Sequence, residues 1–347
     1  MAKEIFLGWD IGGANTKVCV FNTEKKIIRV HKKNLKIWDD FNDINLFFDT
    51  VLSFYKNYEI KNFITITAES CDNFKDRKEG VTLILSQCNK NIIGKNYYYT
   101  NKNTYIDYNQ ALKEPTNLFS TNWILTANFL NTSKNIDVLV DVGSTTTDIL
   151  FKNIDIDENI NDYKRLTNKT LLYAGVVRTP IPMLTDEVLY RSNTTSLVRE
   201  VFATTGDIFN ILGDIDFSDH DYMGSDNLQF TVENSLVRLS RLIGLDYDRR
   251  EKKYIIEVAQ SIKKLFIKKI IDNINYIFDG NTERLVISSI GEGAFLVEDM
   301  CKMCKLTYKS IENENIFNFE DVNKKLVYEN ITAALVVKNF FIKKIYE

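Results

Sequence analysis

One sequence pattern occurs twice in this chain and constrains its fold more than any other feature. Residues 5–21 contain an apolar run, an aspartate, two glycines, a short polar turn and a second apolar run. Residues 136–151 repeat that order, with one glycine and a turn rich in serine and threonine. An apolar run that ends at a glycine turn and then resumes is typical of two paired strands. The repeat therefore predicts two strand-turn-strand units within a duplicated fold.

Both turns carry the residue types that bind phosphate. Glycine lets backbone N–H groups face an anion, and hydroxyl, amide and ammonium side chains supply further donors. Many hairpins carry glycine and asparagine for turn geometry alone, so the prediction depends on the repeat. We expect the two halves to grip a phosphorylated ligand between them. The candidate residues are Gly12, Gly13, Asn15, Thr16 and Lys17 in the first turn, and Gly143, Ser144, Thr145, Thr146 and Thr147 in the second.

Three aspartates near the strand ends, Asp10, Asp141 and Asp148, are candidate magnesium ligands. Carboxylates beside glycine turns suit Mg²⁺, because they hold the metal directly or through its waters while the metal bridges phosphate oxygens. Asp10, Asp141 and Lys17 are also candidate catalytic residues, and a lysine on the outside of the second strand is the structural alternative for Lys17. These residues predict either attack on the terminal phosphorus of ATP or departure of a diphosphate from carbon.

A predicted strand at residues 63–67 ends at a further group of acids. Ligands bind at strand ends in α/β sheets, so Glu69 and Asp72 are candidates for a general base. The stretch is equally compatible with helix capping by Ser70 or Asp72, since short polar side chains accept hydrogen bonds from the first turn of a helix. Nothing in the sequence separates the two acids, and we take Glu69 as the candidate catalytic residue.

Three more segments enter the prediction. Residues 178–182 contain two of the three prolines, which stiffens this loop and presents Arg178 as a candidate phosphate clamp, with a salt bridge as the alternative. Gly291 and Gly293 lie between a predicted strand and a helix, an arrangement that also occurs without a ligand. The acid-rich loop at residues 213–227 is interpreted as a solvated connection, with a mobile lid as the alternative.

Chain length and net charge limit the number of domains and the kinds of binding partner. A chain of 347 residues is long enough for two halves, which we place at residues 1–135 and 136–347. A net charge of −3 and a pI near 5.7 give no electrostatic case for binding nucleic acid or an anionic membrane. The chain starts without a leader pattern, has no apolar run near the ~20 residues that span a bilayer, and has scattered cysteines. We therefore expect a cytoplasmic protein.

Apolar periodicity predicts the other elements. Three antiparallel strands are expected over residues 5–32, and a helix over residues 44–55 has Asp43 at its N-cap. Tyr97, Tyr98 and Tyr99 are expected on the domain surface. Further strands are predicted at residues 63–67, 171–177 and 285–290, and further helices at residues 74–87, 119–130, 197–208 with an interruption at 203–207, 229–243, 251–278, from about 295, and 331–341.

Five stretches together resemble one known family. They are Asp10–Lys17, residues 67–72 with 78–81, Asp141–Ile149, Tyr173–Pro180 and Val201–Asp207. They resemble the hydantoinase A/oxoprolinase-related proteins of tetrahydromethanopterin-linked C1 metabolism, in the acetate and sugar kinase, Hsp70 and actin superfamily. The matches run from residue 5 to about residue 213, with a weaker one near residue 291. The resemblance implies a duplicated ribonuclease-H-like α/β fold with a central cleft.

The resemblance also implies an activity. It indicates a transferase of methanofuran biosynthesis that joins an aminomethyl-furanmethanol diphosphate to the phenol of γ-glutamyltyramine, forming an aryl ether and releasing diphosphate. Mg²⁺ is the implied cofactor, and ATP stays open as a ligand but is not favoured as the substrate. The implied partners are these small molecules, without nucleic acid or membrane, and a homodimer stays open.

Two other functions are compatible with the same residues. An ATP-dependent kinase or a hydantoinase/oxoprolinase-type amide hydrolase of the superfamily would use the same turns, and there the element at Gly291–Gly293 approaches the base and ribose of a nucleotide. An actin-like, nucleotide-switched binding protein would need the turns without the chemistry. The acid-rich loops argue against such a pure scaffold.

Overall fold

Two β-sheets organise the chain, one in each of two structural units. The computed structural model describes residues 3–154, 156, 161–218 and 222–343. The first unit comprises the described residues of Met1–Asn135, Leu150–Ile160 and Ser310–Glu347. The second comprises those of Ile136–Ile149 and Asn161–Lys309.

The elements are given in chain order. The strands are β1 (Lys3–Gly12), β2 (Asn15–Phe21), β3 (Lys26–Asn34), β4 (Tyr58–Thr67), β5 (Lys95–Tyr99), β6 (Tyr105–Ile106), β7 (Val138–Val142), β8 (Thr147–Phe151), β9 (Leu171–Leu172), β10 (Glu187–Tyr190), β11 (Asn193–Ser196), β12 (Val286–Ile290), β13 (Thr307–Tyr308) and β14 (Asn318–Phe319). The helices are α1 (Asp43–Ser53), α2 (Arg77–Asn91), α3 (Tyr108–Lys113), α4 (Asn122–Thr132), α5 (Asp162–Thr167), α6 (Thr205–Leu212), α7 (Val232–Leu242), α8 (Lys252–Ile277), α9 (Ala294–Cys304), α10 (Lys324–Glu329) and α11 (Ile331–Lys343). Short 3₁₀ helices lie at Pro115–Leu118, Ile181–Met183, Arg249–Glu251 and Ile311–Glu314.

The sheet of the first unit has the strand order β14-β3-β2-β1-β4-β5-β6. β1, β2 and β3 are antiparallel neighbours, which confirms the predicted run of three strands. β4 runs parallel to β1, and β5 runs parallel to β4. The carboxyl ends of β1 and β4 therefore meet at one edge of the sheet, where Gly12 is paired with Thr67.

The sheet of the second unit repeats this topology, with the order β13-β12-β7-β8-β9. β12 runs parallel to β7 and to β13, and β8 is antiparallel to β9. If β7, β8, β9, β12 and β13 are counted as strands one to five, their order matches that of β1, β2, β3, β4 and β5 in the first sheet. The repeated order confirms the predicted duplicated ribonuclease-H-like α/β fold.

Strand alternation in β1 divides the core of the first unit. One face joins the apolar sides of α1 and α2 in a buried cluster through Ile5, Leu7, Trp9 and Ile11. On the opposite face Phe6 packs edge-on against Phe341 of α11, with ring centroids 5.0 Å apart. Residues 310–343 accordingly group with the first unit. The division proposed from the sequence had placed them in the second half.

Most predicted helices and strands are present with shifted ends. The clearest case is α8, whose stripe of buried aliphatic residues is the one that the periodicity indicated. Those residues include Ile255, Val258, Ile262, Ile270 and Ile274.

Several local predictions were wrong. Asn42, not Asp43, occupies the N-cap of α1. The cap of α2 is Asp76, which accepts from the backbone N–H of Glu79 at 2.9 Å, so neither Ser70 nor Asp72 caps that helix.

Elsewhere the predicted elements differ in length or burial. Residues 197–203 are not helical, and α6 begins only at Thr205. The strand expected over residues 171–177 is confined to Leu171–Leu172. Tyr98 and Tyr99 are fully buried, because β5 lies between β4 and β6 and not at the surface.

Candidate functional site

The first turn (residues 10–17) lies at the carboxyl edge of its sheet. β1 carries Asp10 to this edge, and the antiparallel register pairs Asp10 with Lys17. The backbone N–H of Leu35 donates to the carbonyl of Ala14 at 3.0 Å, so the segment after β3 holds the turn from one side. Lys17 therefore shares a face of the sheet with Asp10, and the alternative of a lysine on the outside of β2 does not describe its position.

Asp10 is a buried carboxylate with an unsatisfied oxygen. Its side chain forms an ion pair with Lys17, with Nζ 3.6 Å from Oδ2. The other oxygen, Oδ1, is buried and has no hydrogen-bond partner among the described residues. Burial raises the pKa of the Asp10 carboxyl above its ordinary value, and the Lys17 ammonium offsets part of that rise. A cation placed at Oδ1 would satisfy this oxygen and favour the ionised form.

Thr16 is the second unsatisfied group of the first turn. It is fully buried, and within the described part of the chain its hydroxyl has no hydrogen-bond partner. A buried hydroxyl without a partner costs free energy, so such groups in native proteins call for an explanation such as a bound ligand, ion or water.

Glu69 lies where β4 ends, at the same edge as the first turn. Its Oε1 accepts from Nη2 of Arg77 at 2.7 Å and from the hydroxyl of Ser120 at 2.8 Å. Its Oε2 is buried and has no partner among the residues that the structure describes. The sequence pointed to Glu69 but not to Arg77 or Ser120. Asp72, the other candidate base, is exposed.

The second turn (residues 141–148) is bound along its backbone by a neighbouring segment. The N–H of Gly143 donates to the carbonyl of Thr146 at 2.9 Å, closing the turn. The backbone N–H of Arg178 donates to the carbonyl of Ser144 at 2.9 Å. A side chain at Gly175 would lie 2.4 Å from the backbone at Ser144, so only glycine fits there. The segment is therefore held against the second turn by its backbone, and the side chain of Arg178 is exposed.

Asp148 forms a buried ion pair with an arginine of its own unit. Nη2 of Arg165 donates to Oδ1 of Asp148 at 2.6 Å, and both side chains are buried. The same guanidinium nitrogen donates to the carbonyl of Thr170 at 3.1 Å. This arrangement makes Asp148 the partner of a buried cation, which does not suit it to the predicted role of metal ligand.

The turn at Gly291–Gly293 lies directly against the end of β7. The parallel register pairs Ile290 with Asp141. Gly291 has φ +84°, and a side chain there would come within 2.6 Å of Oδ1 of Asp141. The N–H of Gly293 donates to the carbonyl of Val142 at 2.8 Å. Within the second unit the structure thus brings together Asp141, the second turn and the Gly291–Gly293 turn.

The acid-rich loop at residues 213–227 is anchored at both ends. Asp214 binds Nζ of Lys263 at 2.9 Å, and Asp226 binds Nη1 of Arg238 at 2.9 Å. The same Arg238 forms a buried ion pair with Asp207 at 2.7 Å. These contacts describe a tethered connection, while residues 219–221 of the loop lie outside the described residues.

The side chains near the turns can be compared with what a Mg²⁺ site requires. Across residues 3–154, 156, 161–218 and 222–343, no cluster of three or more histidine, cysteine or acidic side chains is arranged to hold an ion. Mg²⁺ usually keeps several waters and takes only one or two protein carboxylates besides phosphate oxygens. The unsatisfied Oδ1 of Asp10 fits that requirement.

Two sheets of ribonuclease-H-like order, each with an acid-glycine turn at a strand end, define a duplicated α/β protein. The family model described as hydantoinase/oxoprolinase matches residues 62–316. The chain belongs to this family. No helix within the described residues is long and apolar enough to cross a membrane.

Two curated relatives share one name. A protein of Methanocaldococcus jannaschii, (4-{4-[2-(gamma-L-glutamylamino)ethyl]phenoxymethyl}furan-2-yl)methanamine synthase, is 30% identical over 84% of this chain and 87% of its own. A synthase of the same name from Methanococcus vannielii is 28% identical over 60% of this chain and 94% of its own. Among solved structures, a ROK family glucokinase from Streptomyces griseus aligns over 96% of this chain and 98% of its own, with 10% identity and a TM-score of 0.45. That score is too low to support the fold assignment, which rests on the strand order.

Proposed function

We propose that this protein is a transferase of methanofuran biosynthesis. It condenses an aminomethyl-furanmethanol diphosphate with γ-glutamyltyramine to form an aryl ether, with release of diphosphate. The observation that carries this proposal is the 30% identity, over most of both chains, to a synthase whose name states the aryl ether product. The acid-glycine turns support a diphosphate as the leaving group, because they offer backbone and side-chain donors to an anion.

The reaction exchanges one bond to carbon for another. The bond between the furan methylene carbon and the diphosphate oxygen breaks, and diphosphate leaves with the electron pair. The phenol oxygen of γ-glutamyltyramine forms the new bond to that carbon, and the phenol proton passes to a base. The furan ring can spread positive charge at the methylene carbon, so the protein has to position the phenol and stabilise the leaving group.

The first turn is proposed to stabilise the leaving group. Lys17 neutralises charge that builds on the departing diphosphate, and the hydroxyl of Thr16 donates to one of its oxygens. Asp10 would hold Mg²⁺ through Oδ1, the oxygen without a partner among the described residues, and Asp141 is the equivalent residue of the second turn. Bound Mg²⁺ supplies positive charge at the phosphate oxygens.

Glu69 is proposed to receive the phenol proton. Arg77 and Ser120 both bind Oε1 of its carboxylate and so fix its orientation. The other oxygen, Oε2, has no donor from the described residues and is therefore the one assigned to the proton. Asn15, which also belongs to the first turn, is proposed as an additional donor to the diphosphate.

An ATP-dependent kinase or amide hydrolase is the second candidate function. The observation that favours it is the Gly291–Gly293 turn packed against Asp141, at a place where the resemblance implies a nucleotide. The two candidates differ in what happens to ATP. The transferase leaves it intact, whereas a kinase or an ATP-dependent hydrolase converts it to ADP.

The deciding experiment uses the purified protein in two reactions. One contains Mg²⁺ and ATP, and the other contains Mg²⁺, the furan diphosphate and γ-glutamyltyramine. We expect the aryl ether and one equivalent of diphosphate from the second reaction and no ADP from the first. Release of ADP without ether formation would contradict the transferase proposal and support the alternative.

A further inference from the structure

The third strand of the first sheet brings a second lysine to the first turn. The antiparallel register pairs Asp10 with Lys17 and Lys17 with Lys32, so one row across β1, β2 and β3 holds an acid and two lysines. Directly opposite residues of paired strands share a face, with Cβ atoms about 5 Å apart. Lys32 is half-buried. It lies outside the acid-glycine pattern and was not predicted from that pattern.

Backbone hydrogen bonds hold the segment after β3 against the first turn. The N–H of Leu35 donates to the carbonyl of Ala14 at 3.0 Å, and the N–H of Ile37 donates to the carbonyl of Gly13 at 3.2 Å. All of these residues belong to the first unit. Lys32 is therefore placed beside the first turn by the elements of one unit alone.

The charges of this row favour an anionic ligand. Nζ of Lys17 lies 3.6 Å from Oδ2 of Asp10, so the single carboxylate of the row is already engaged by one lysine. Like charges that lie directly opposite each other on paired strands are destabilising. A ligand with more than one negative charge would relieve the repulsion between Lys17 and Lys32.

Two buried oxygen atoms on the same face also point to a ligand. Oδ1 of Asp10 and Oδ1 of Asn34 have no hydrogen-bond partner among the described residues. Asn34 is paired with Asn15, two positions along the strands from the lysine pair, so strand alternation places it on this face. Buried polar atoms are normally satisfied, and both of these atoms are acceptors, which suits the hydrated Mg²⁺ that accompanies a diphosphate.

We propose that Lys32 and Lys17 form a two-lysine site for the diphosphate group of the substrate. Lysine binds phosphate as a compact point charge, and two ammonium groups match the two phosphate groups of a diphosphate. Lys32 serves as a binding residue, holding the anion before and after the bond to carbon breaks. The inference rests on the proposed function, because it completes the leaving-group site of that reaction.

The test measures binding of inorganic diphosphate and of inorganic phosphate, each with Mg²⁺, by isothermal titration calorimetry. Lys32→Met should raise the Kd for diphosphate by about tenfold or more, the value of one charge-assisted hydrogen bond, with a smaller loss for phosphate. Lys32→Arg should retain most of the binding. Lys33→Met is the matched control, because it removes the same charge from an exposed neighbour on the opposite face, and it should bind diphosphate as wild type does.

Two further measurements separate binding from a structural role. In steady-state kinetics with the furan diphosphate, Lys32→Met should raise KM by about tenfold with kcat little changed, since the interaction is made equally in the ground state and the transition state. Without ligand, its thermal stability should be unchanged or raised, because one of two opposed like charges is removed. A destabilised Lys32→Met whose binding Lys32→Arg does not restore would show a structural role and overturn the inference.

The remaining outcomes distinguish this inference from the function on which it rests. A wild-type protein that binds diphosphate but forms no aryl ether would remove the proposed function and leave the two-lysine site in place. Wild-type affinity for diphosphate in Lys32→Met would overturn the site alone. Equal losses in Lys32→Met and Lys33→Met would also overturn it, because net charge would then explain the binding. A wild-type protein that binds no diphosphate would overturn both.

Discussion

The two turns share a sequence pattern, but their side chains differ in whether they have hydrogen-bond partners within the protein. Thr16 and Thr147 occupy equivalent places in the two copies, and both are fully buried. The hydroxyl of Thr147 donates to the carbonyl of Ala174 at 2.7 Å, whereas that of Thr16 has no partner among the described residues. The threonine of the second turn is therefore hydrogen-bonded within its own unit, whereas the threonine of the first turn has a hydroxyl donor that no described residue accepts.

The next position shows the same contrast with opposite charges. Lys17 in the first copy corresponds to Asp148 in the second. Lys17 faces Asp10, one oxygen of which has no partner from the described residues, while Asp148 is paired with the buried Arg165. We infer that the first turn is the one arranged for catalysis and that Asp148 serves stability.

The largest effect is expected at Asp10. Asp10→Asn keeps the shape of the side chain but removes its charge, so we expect kcat/KM to fall by about 10³-fold, the upper end of the range for loss of one electrostatic group. Circular dichroism should show an unchanged fold. Activity within tenfold of wild type at saturating substrate and Mg²⁺ would remove Asp10 from the site.

Asp148 is expected to affect stability instead. Asp148→Ala leaves the buried Arg165 without its anion, and such a loss costs about 3–5 kcal/mol of unfolding free energy. Urea denaturation would measure it, and kcat per folded molecule should be little changed. The double variant Asp148→Ala/Arg165→Met should recover much of the stability. A normal denaturation midpoint together with a large loss of kcat would instead support the metal-ligand role.

A substitution at Lys17 tests whether its ammonium group stabilises the transition state. Lys17→Met should lower both kcat and kcat/KM by about 10²- to 10³-fold, because an interaction with a departing diphosphate strengthens as the bond breaks. Steady-state kinetics with the diphosphate substrate would measure this. A change in KM alone would show ground-state binding, and wild-type kinetics would exclude Lys17 from catalysis.

Substitutions at Thr16 and Thr147 should have smaller effects, and because the two positions are equivalent they can be compared directly. Thr147→Val removes a donor to a buried carbonyl and should cost about 1–3 kcal/mol, with activity retained. Thr16→Val removes a hydroxyl that has no described partner, so stability should be unchanged or raised while kcat/KM falls by about tenfold. Thermal unfolding and kinetics of both variants would measure the two effects. Equal behaviour of the two variants would contradict the contrast between the turns.

The smallest expected effect is a pH dependence of stability. Because burial raises the pKa of Asp10 in the folded state, the folded protein holds this proton to higher pH than the unfolded chain does. The stability of the wild type should therefore fall, relative to Asp10→Asn, as pH rises from the ordinary aspartate pKa to the raised one. Denaturation series across the acidic range, without Mg²⁺, would measure the difference. A difference that does not vary with pH would contradict the raised pKa.

Patterns of neighbouring residues were enough to predict the local elements and the type of site. Apolar runs on both sides of the turns at Gly12 and Gly143 predicted the two hairpins, and the stripe of α8 predicted a buried helix face, because both patterns depend only on neighbours along the chain. The same stretches placed Asp10 and Asp141 at strand ends. Strand ends with glycine turns are recognisable from residues that lie within one short segment.

Which of these residues already have a hydrogen-bond or charged partner depends on contacts between segments that are distant in the chain. Arg165 neutralises Asp148 from 17 positions away, Thr147 finds the carbonyl of Ala174 27 positions away, and Arg77 and Ser120 converge on Glu69 from two different elements. No periodicity encodes such pairs, since each depends on how separate segments are brought together by sheet and helix packing. The aspartates and threonines of the two turns look alike in sequence. Their different roles follow from partners that are distant in the chain.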